Sequence, residues 1–201
     1  MDTKLKIEKQ KEVAKKVFGR LKKLCYGAIL AGGAPRDWFF GTPANDLDFY
    51  FYGSEEECWK TKEQLKLCGF EEELTQTEGE LESGLYKSTE GIIRVLNTNI
   101  EGVDVQLIQL DSAKSLNKVV DGFSVSVCKI WCGDDLKPKI HQDFALTVKT
   151  WVMFLSEGYN YQDPHPKKIV DRYRGKFSLR TKDVAIQKLL RATSGELESG
   201  S

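Results

Sequence analysis

Gly32-Gly33-Ala34-Pro35-Arg36-Asp37, then Gly41, then Asp46-Leu47-Asp48, is the stretch on which the reading of this chain turns. The apolar run Ala28-Ile29-Leu30 before it reads as a short buried strand, broken by the glycine pair. Pro35 suits the first turn of a helix, where its missing N–H leaves no bond unmade. That helix is predicted to run through Arg36-Asp37-Trp38-Phe39-Phe40 and to stop at Gly41-Thr42-Pro43. Asp46 to Tyr52 alternates as a strand does, with residues 46, 48, 50 and 52 on one face.

Each part of this strand, turn, helix and strand has a chemical use. Two glycines let the backbone approach a bulky anion, and the amides that open the following helix favour a phosphate. Arg36 is a fixed positive fork for triphosphate oxygens, or else a structural partner of Asp37, which either touches nucleotide or holds the arginine. Two aspartates one residue apart on a strand project to the same side, roughly 6–7 Å apart along the chain. Hard oxygen ligands so placed can share one or two Mg²⁺ (or Mn²⁺) ions. A third carboxylate on a neighbouring strand would complete a two-metal site. Asp104 is the first candidate, mid-strand among apolar residues where an unpaired acid is costly, and Glu101 the second.

Working outward, residues 1–24 carry nine basic and three acidic side chains, with Val13, Val17, Phe18, Leu21 and Leu24 at helical spacing. Residues 54–82 hold ten Glu against three Lys, and 164–191 hold nine basic residues against two Asp, so basic ends flank an acidic middle. Glu55 to Leu67 reads as a helix capped by Ser54, and Glu71 to Glu90 as a loop with one hairpin. Strands are expected at Ile92–Leu96 and Val103–Ile108, and an apolar alternation from Phe123 to Trp131. Phe144, Val148, Trp151, Val152 and Leu155 form a helical stripe closed by Gly158. Past Asp163-Pro164-His165-Pro166 come short basic helices, and 194–201 is expected to be a disordered tail. The fold class is α+β: residues 1–133 form a mixed sheet with helices, and 134–193 a small helical C-terminal annex.

The chain has 201 residues, 40% apolar and 30% charged, with 30 Lys+Arg balancing 30 Asp+Glu. Net neutrality excludes a protein that coats nucleic acid wholesale but leaves room for a local basic patch. No apolar run approaches the roughly 18 residues of a membrane span, and the first residues lead into charge rather than a signal core. Cys25, Cys58, Cys68, Cys128 and Cys132 are odd in number and unpaired in spacing, which argues against disulfides and zinc and points to a reducing cytoplasm. His141 and His165 are isolated and read as surface or capping residues.

The run from Gly32 to Asp48, with Gly-Gly-x-x-Arg-Asp, then Gly, then Asp-x-Asp, resembles the head-domain signature of the DNA polymerase β-type nucleotidyltransferase superfamily. The closest form is that of CCA-adding enzymes and bacterial poly(A) polymerases. The resemblance implies a small mixed-sheet palm whose aspartates, Asp46 and Asp48, bind metal and whose glycine loop, Gly32 and Gly33, holds the triphosphate; Asp104 as third ligand and Arg36 and Asp37 at the nucleotide are candidates from the residues themselves. It implies transfer of NMP from an NTP to an acceptor hydroxyl, with pyrophosphate released. The first acceptor to consider is an RNA 3′ end such as that of tRNA, gripped through the basic C-terminal segment. The alternatives are a protein hydroxyl and a nucleotide-binding relative without turnover. Ser124 stands where the family pattern has Asp, so nucleotide choice does not carry over. The chain is too short for the neck, body and tail that hold tRNA in CCA-adding enzymes.

Overall fold

A computed structural model of the chain describes residues 2–24, 27–52, 65–66, 70, 75–76, 92–110, 116–162, 164–177 and 180–181. The expected helix at 55–67 and the tail at 194–201 lie outside these residues, apart from positions 65 and 66. The chain divides into two compact units, Met1–Phe123 with Cys128–His141, and Ser124–Val127 with Gln142–Ser201.

In the first unit a 21-residue helix, α1 (Thr3–Lys23), opens on Asp2, whose carboxylate accepts from the Lys4 amide at 3.3 Å. Lysines and an arginine fill its last turn, where they face the negative end of the helix dipole. Strand β1 (Ala28–Ala31), helix α2 (Gly33–Phe39) and strand β2 (Asp46–Tyr52) follow, as the periodicity predicts. Then come β3 (Thr75–Gln76), β4 (Ile92–Ile100), β5 (Val103–Leu110), α3 (Leu116–Asp121), β6 (Ile130–Cys132) and β7 (Pro138–Ile140).

These strands form one mixed sheet in the order β3-β4-β5-β2-β1-β6-β7. Only the central β2–β5 pair is parallel, and every other neighbour is antiparallel. The α+β class and mixed sheet are as expected. One face of the sheet carries Leu47, Phe49, Phe51, Leu96, Val105 and Leu107, packed with Val13, Val17, Phe18 and Leu21 of α1. Phe18 and Phe49 meet edge to face at 5.0 Å. On the other face Tyr50, Val95, Ile108 and Leu110 pack with Val119 and Val120 of α3, and Ile29 and Ala31 of β1 belong to the same cluster.

The segment after Phe123 departs from its reading. In place of a strand there is an isolated bridge at Val125 to Leu155, a 3-10 turn at Ser126–Cys128, and only then the short β6. In the second unit, helix α4 (Gln142–Thr150) stops well before Gly158. Trp151 takes a left-handed φ of 55° and ends it, and Val152–Met153 form strand β8 instead. Backbone bonding with the 124–126 strip wins over helical continuation: Ser126 N–H donates to Phe154 O at 2.8 Å and Ser156 N–H to Ser124 O at 2.9 Å. Helix α5 (Pro164–Lys176) and strand β9 (Arg180–Thr181), parallel to β8, complete this unit.

Phe49 is fully buried at the centre of the α1-facing core. Phe49→Ala is expected to lower stability by about 3–5 kcal/mol, read as a drop in the urea midpoint at unchanged slope. An unchanged midpoint would show that this core does not hold α1 to the sheet.

Candidate nucleotide and metal site

Gly32, directly after β1, has φ 79°, a conformation that side-chain-bearing residues reach only with strain. A Cβ placed there would stand 3.6 Å from Asp48 Oδ2. A Cβ on Gly33 would stand 3.6 Å from the second Nη of Arg36 and 3.8 Å from Asp46 Oδ1. Both strand carboxylates therefore reach the bare backbone of the glycine turn. The two glycines leave open a space bounded by two acids and a guanidinium.

The neighbours of β2 explain how the acids come to be there. Antiparallel β1 sets Leu30 opposite Phe49, which brings the turn after β1 level with residues 46–48. On the other side, parallel β5 sets Asp104 opposite Asp46 and Gln106 opposite Asp48. Antiparallel β4 then sets Asn99 opposite Asp104 and Asn97 opposite Gln106. Residues opposite one another share a face. Across β2, β5 and β4 this face therefore carries two rows of polar side chains, Asp46–Asp104–Asn99 and Asp48–Gln106–Asn97.

Arg36 and Asp37 are both 3% exposed. Arg36 donates from Nε to Asp37 Oδ1 at 2.9 Å and from one Nη to Cys128 Sγ at 3.2 Å, while its other Nη lies beside Gly33. The Arg36–Asp37 pairing that the sequence left as an alternative is formed. Burial pushes the Cys128 thiol up against the opposing pull of Arg36, so the sulfur sits there as a neutral acceptor. Burial likewise pushes Cys132 up to about 12.

Gln10 is a residue the sequence reading missed. Its side chain donates to Ala44 O at 2.7 Å and accepts from Ala44 N–H at 3.0 Å and from the Trp38 indole at 3.0 Å. One buried amide thereby ties α1 to the helix carrying Arg36 and to the backbone two residues before Asp46. A helical period marks Gln10 only as a polar residue on an apolar face, and nothing local says what it bonds.

Asp104 is exposed rather than enclosed by apolar side chains, because its neighbours Val103 and Val105 point to the opposite face. Asn99 Nδ2 donates to its Oδ1 at 2.7 Å, and Asn99 Oδ1 accepts from the Gly102 amide at 2.8 Å. Glu101, at the hairpin turn with φ 55°, is paired with Lys16, whose hydrogen bond and charge hold its carboxyl below the usual range. Among the described residues no three His, Cys, Asp or Glu side chains gather closely enough to hold a metal ion. Two carboxylates beside an open turn nevertheless suit a hard divalent cation, because Mg²⁺ commonly takes one or two protein carboxylates and completes its shell with water and substrate phosphate.

The other candidates are placed as follows. His141 Nε2 lies 3.6 Å from Asp121 Oδ1, and the His165 side chain lies outside the described residues. Ser124 is buried at the start of its strip in the second unit. Within that unit Tyr173 is buried and stacks on Phe177 at 5.6 Å, and the Tyr161 hydroxyl donates to Asp171 at 2.7 Å, so both aromatics have protein partners. Lys168 and Arg172 are exposed on α5, and Lys167 pairs with Asp171. No described helix is long and apolar enough to cross a membrane.

Comparison with known proteins gives two results. Residues 4–150 match the family described as "Gabija anti-defense 2 family protein". Among solved structures, the fold is that of CCA-adding enzymes, a polymerase β-like nucleotidyltransferase fold. The Thermotoga maritima CCA-adding enzyme complexed with tRNA matches at a TM-score of 0.63 and 13% identity, covering 100% of this chain and 47% of its own. A CCA-adding enzyme in complex with ATP matches at 0.62 and 14%, covering 100% and 46%. An apo tRNA-processing enzyme matches at 0.60 and 16%, covering 92% and 46%. The chain spans less than half the length of these three structures. No curated protein matches it.

The two glycines separate strain from function. Gly32→Ala is expected to destabilise by about 1–2 kcal/mol through its positive φ, seen as a lower melting temperature. Gly33→Ala should leave melting nearly unchanged yet fill the cradle; nucleotide binding equal to wild type in that variant would show that nothing binds there. Both buried thiols should resist a thiol reagent at pH 8 in the folded protein and react on unfolding. Since unfolded thiols ionise near pH 8.5 and the folded Cys132 only near 12, stability should fall as pH rises through that window. A flat stability curve across it would contradict the burial.

Proposed function

The chain belongs to the Gabija anti-defense 2 family, and from that premise and the site geometry we propose that it is a metal-dependent nucleotidyltransferase. In this reading it transfers NMP from an NTP to an acceptor hydroxyl. The observation that carries it is the reach of Asp46 and Asp48 to the bare turn of Gly32 and Gly33. The turn amides and the anchored Arg36 bind the triphosphate. Asp46 and Asp48 hold Mg²⁺ or Mn²⁺, which when bound neutralises phosphate charge. Asp104, oriented by Asn99, stands one strand further on and takes the proton of the incoming hydroxyl or adds a ligand. The acceptor oxygen bonds to the α-phosphorus, the bond to the bridging oxygen breaks, and its electron pair leaves with pyrophosphate. Asp37 and Cys128 act through Arg36, fixing its fork. RNA is the first acceptor, with the basic exposed residues Lys168 and Arg172 of α5 as further phosphate contacts.

The family description supports a role in counter-defence over one in tRNA maturation. The tRNA-processing neighbours are more than twice this chain's length. A second reading, nucleotide binding without turnover, is favoured by one feature: Asp104 is engaged by Asn99, and no three-acid cluster is assembled among the described residues.

Purified protein with each labelled NTP, Mg²⁺ or Mn²⁺, and either RNA or protein from infected cells should place label on one acceptor and release pyrophosphate. Asp46→Asn and Asp48→Asn should each lower the rate by about 100-fold or more. Label on neither acceptor, with tight nucleotide binding in wild type and in Asp48→Asn, would replace transfer with the binding-only reading.

A further inference from the structure

We propose that Asn97, Gln106 and Asn99, on β4 and β5, form the acceptor subsite, and that it takes the uncharged terminal ribonucleoside of an RNA. This rests on the transfer reading above and deepens it. In-line displacement requires the attacking oxygen and the departing pyrophosphate to lie on opposite sides of the phosphorus. The glycine turn that receives the polyphosphate follows β1, on one flank of β2. The acceptor therefore comes from the other flank, over β5 and then β4.

What that flank presents is chemically narrow. Level with Asp46 and Asp48 it carries one carboxylate, Asp104, and three carboxamides, each of which both donates and accepts hydrogen bonds. Beyond these two rows the face turns apolar at Ile108 and Val95. A plate of amides beside acids is poor for a phosphate and good for neutral groups that carry donors and acceptors together, such as ribose hydroxyls and a base edge. Past the plate, at the β4–β5 turn, positive charge is present: Lys16 pairs with Glu101, and Lys9 Nζ would lie 3.8 Å from a Cβ on Gly102. A neutral plate followed by lysines matches a terminal nucleoside followed by its phosphodiester. A protein hydroxyl needs neither feature.

The sequence carries this pattern in plain view, as carboxamides or a carboxylate at every second position of Asn97-Thr98-Asn99 and Asp104-Val105-Gln106. It gains meaning only from the register that sets the two strands side by side.

The test uses the full chain, with a non-hydrolysable ATP analogue and a short labelled single-stranded RNA bearing a free 3′-hydroxyl, both measured by equilibrium binding with Mg²⁺. The Gln106→Leu/Asn97→Leu double variant should bind the RNA about tenfold more weakly and the nucleotide within about twofold of wild type. Asn99→Ala, at an exposed position where it also frees Asp104 and the Gly102 amide, should weaken RNA binding severalfold. RNA affinity unchanged in these variants overturns the proposal, as does a wild-type protein that binds nucleotide and labels protein but ignores the RNA. Failure of wild type to bind the nucleotide shows in its own arm, and there the transfer reading falls first.

Discussion

Two negative charges held on the same side of one strand, against backbone stripped of side chains, are the constraint to which the rest of the first unit answers. Asp46 and Asp48 repel each other, and β2 keeps them parallel because its ladder is made on both flanks, with β1 antiparallel and β5 parallel. The apolar residues between and after them, Leu47, Phe49 and Phe51, point the other way into the α1 core. Like charges confined in this way favour a cation between them over either acid alone. Gln10 adds the tie from beneath, fixing Trp38 and Ala44 and with them the spacing between the arginine helix and the acid strand.

Much of this was legible locally. Gly32-Gly33, Pro35, Gly41 and the 46–52 alternation each carry a backbone requirement that a short window displays, so β1, α2 and β2 fall where the sequence puts them. The relation of Asp104 to Asp46 was legible only as a guess about neighbouring strands, since register is set by pairing across more than fifty residues of chain. The reason first given for Asp104, burial, was wrong in its physics: the acid is exposed and is held by Asn99. Gln10, Asn99 and Gln106 escaped because an amide announces its partner only in three dimensions. The stripe from Phe144 to Leu155 misled because its period continues past Thr150, while the backbone leaves the helix at Trp151 to pair with residues 124–126.

Fold and family point to different settings. The polymerase β-like fold is shared with tRNA-processing enzymes at identities of 13 to 16%, a level at which a fold persists while substrates change. The family assignment covers residues 4–150, which include the glycine turn, the acids and the amide rows.

The most direct measurement is a crystal structure of the chain with Mn²⁺ and a non-hydrolysable NTP, with the metal located by anomalous scattering. The account predicts a manganese peak bound by Asp46 and Asp48, with the phosphates lying against the amides of Gly32 and Gly33. Phosphate density elsewhere on the molecule, or metal peaks that avoid both aspartates, would contradict it.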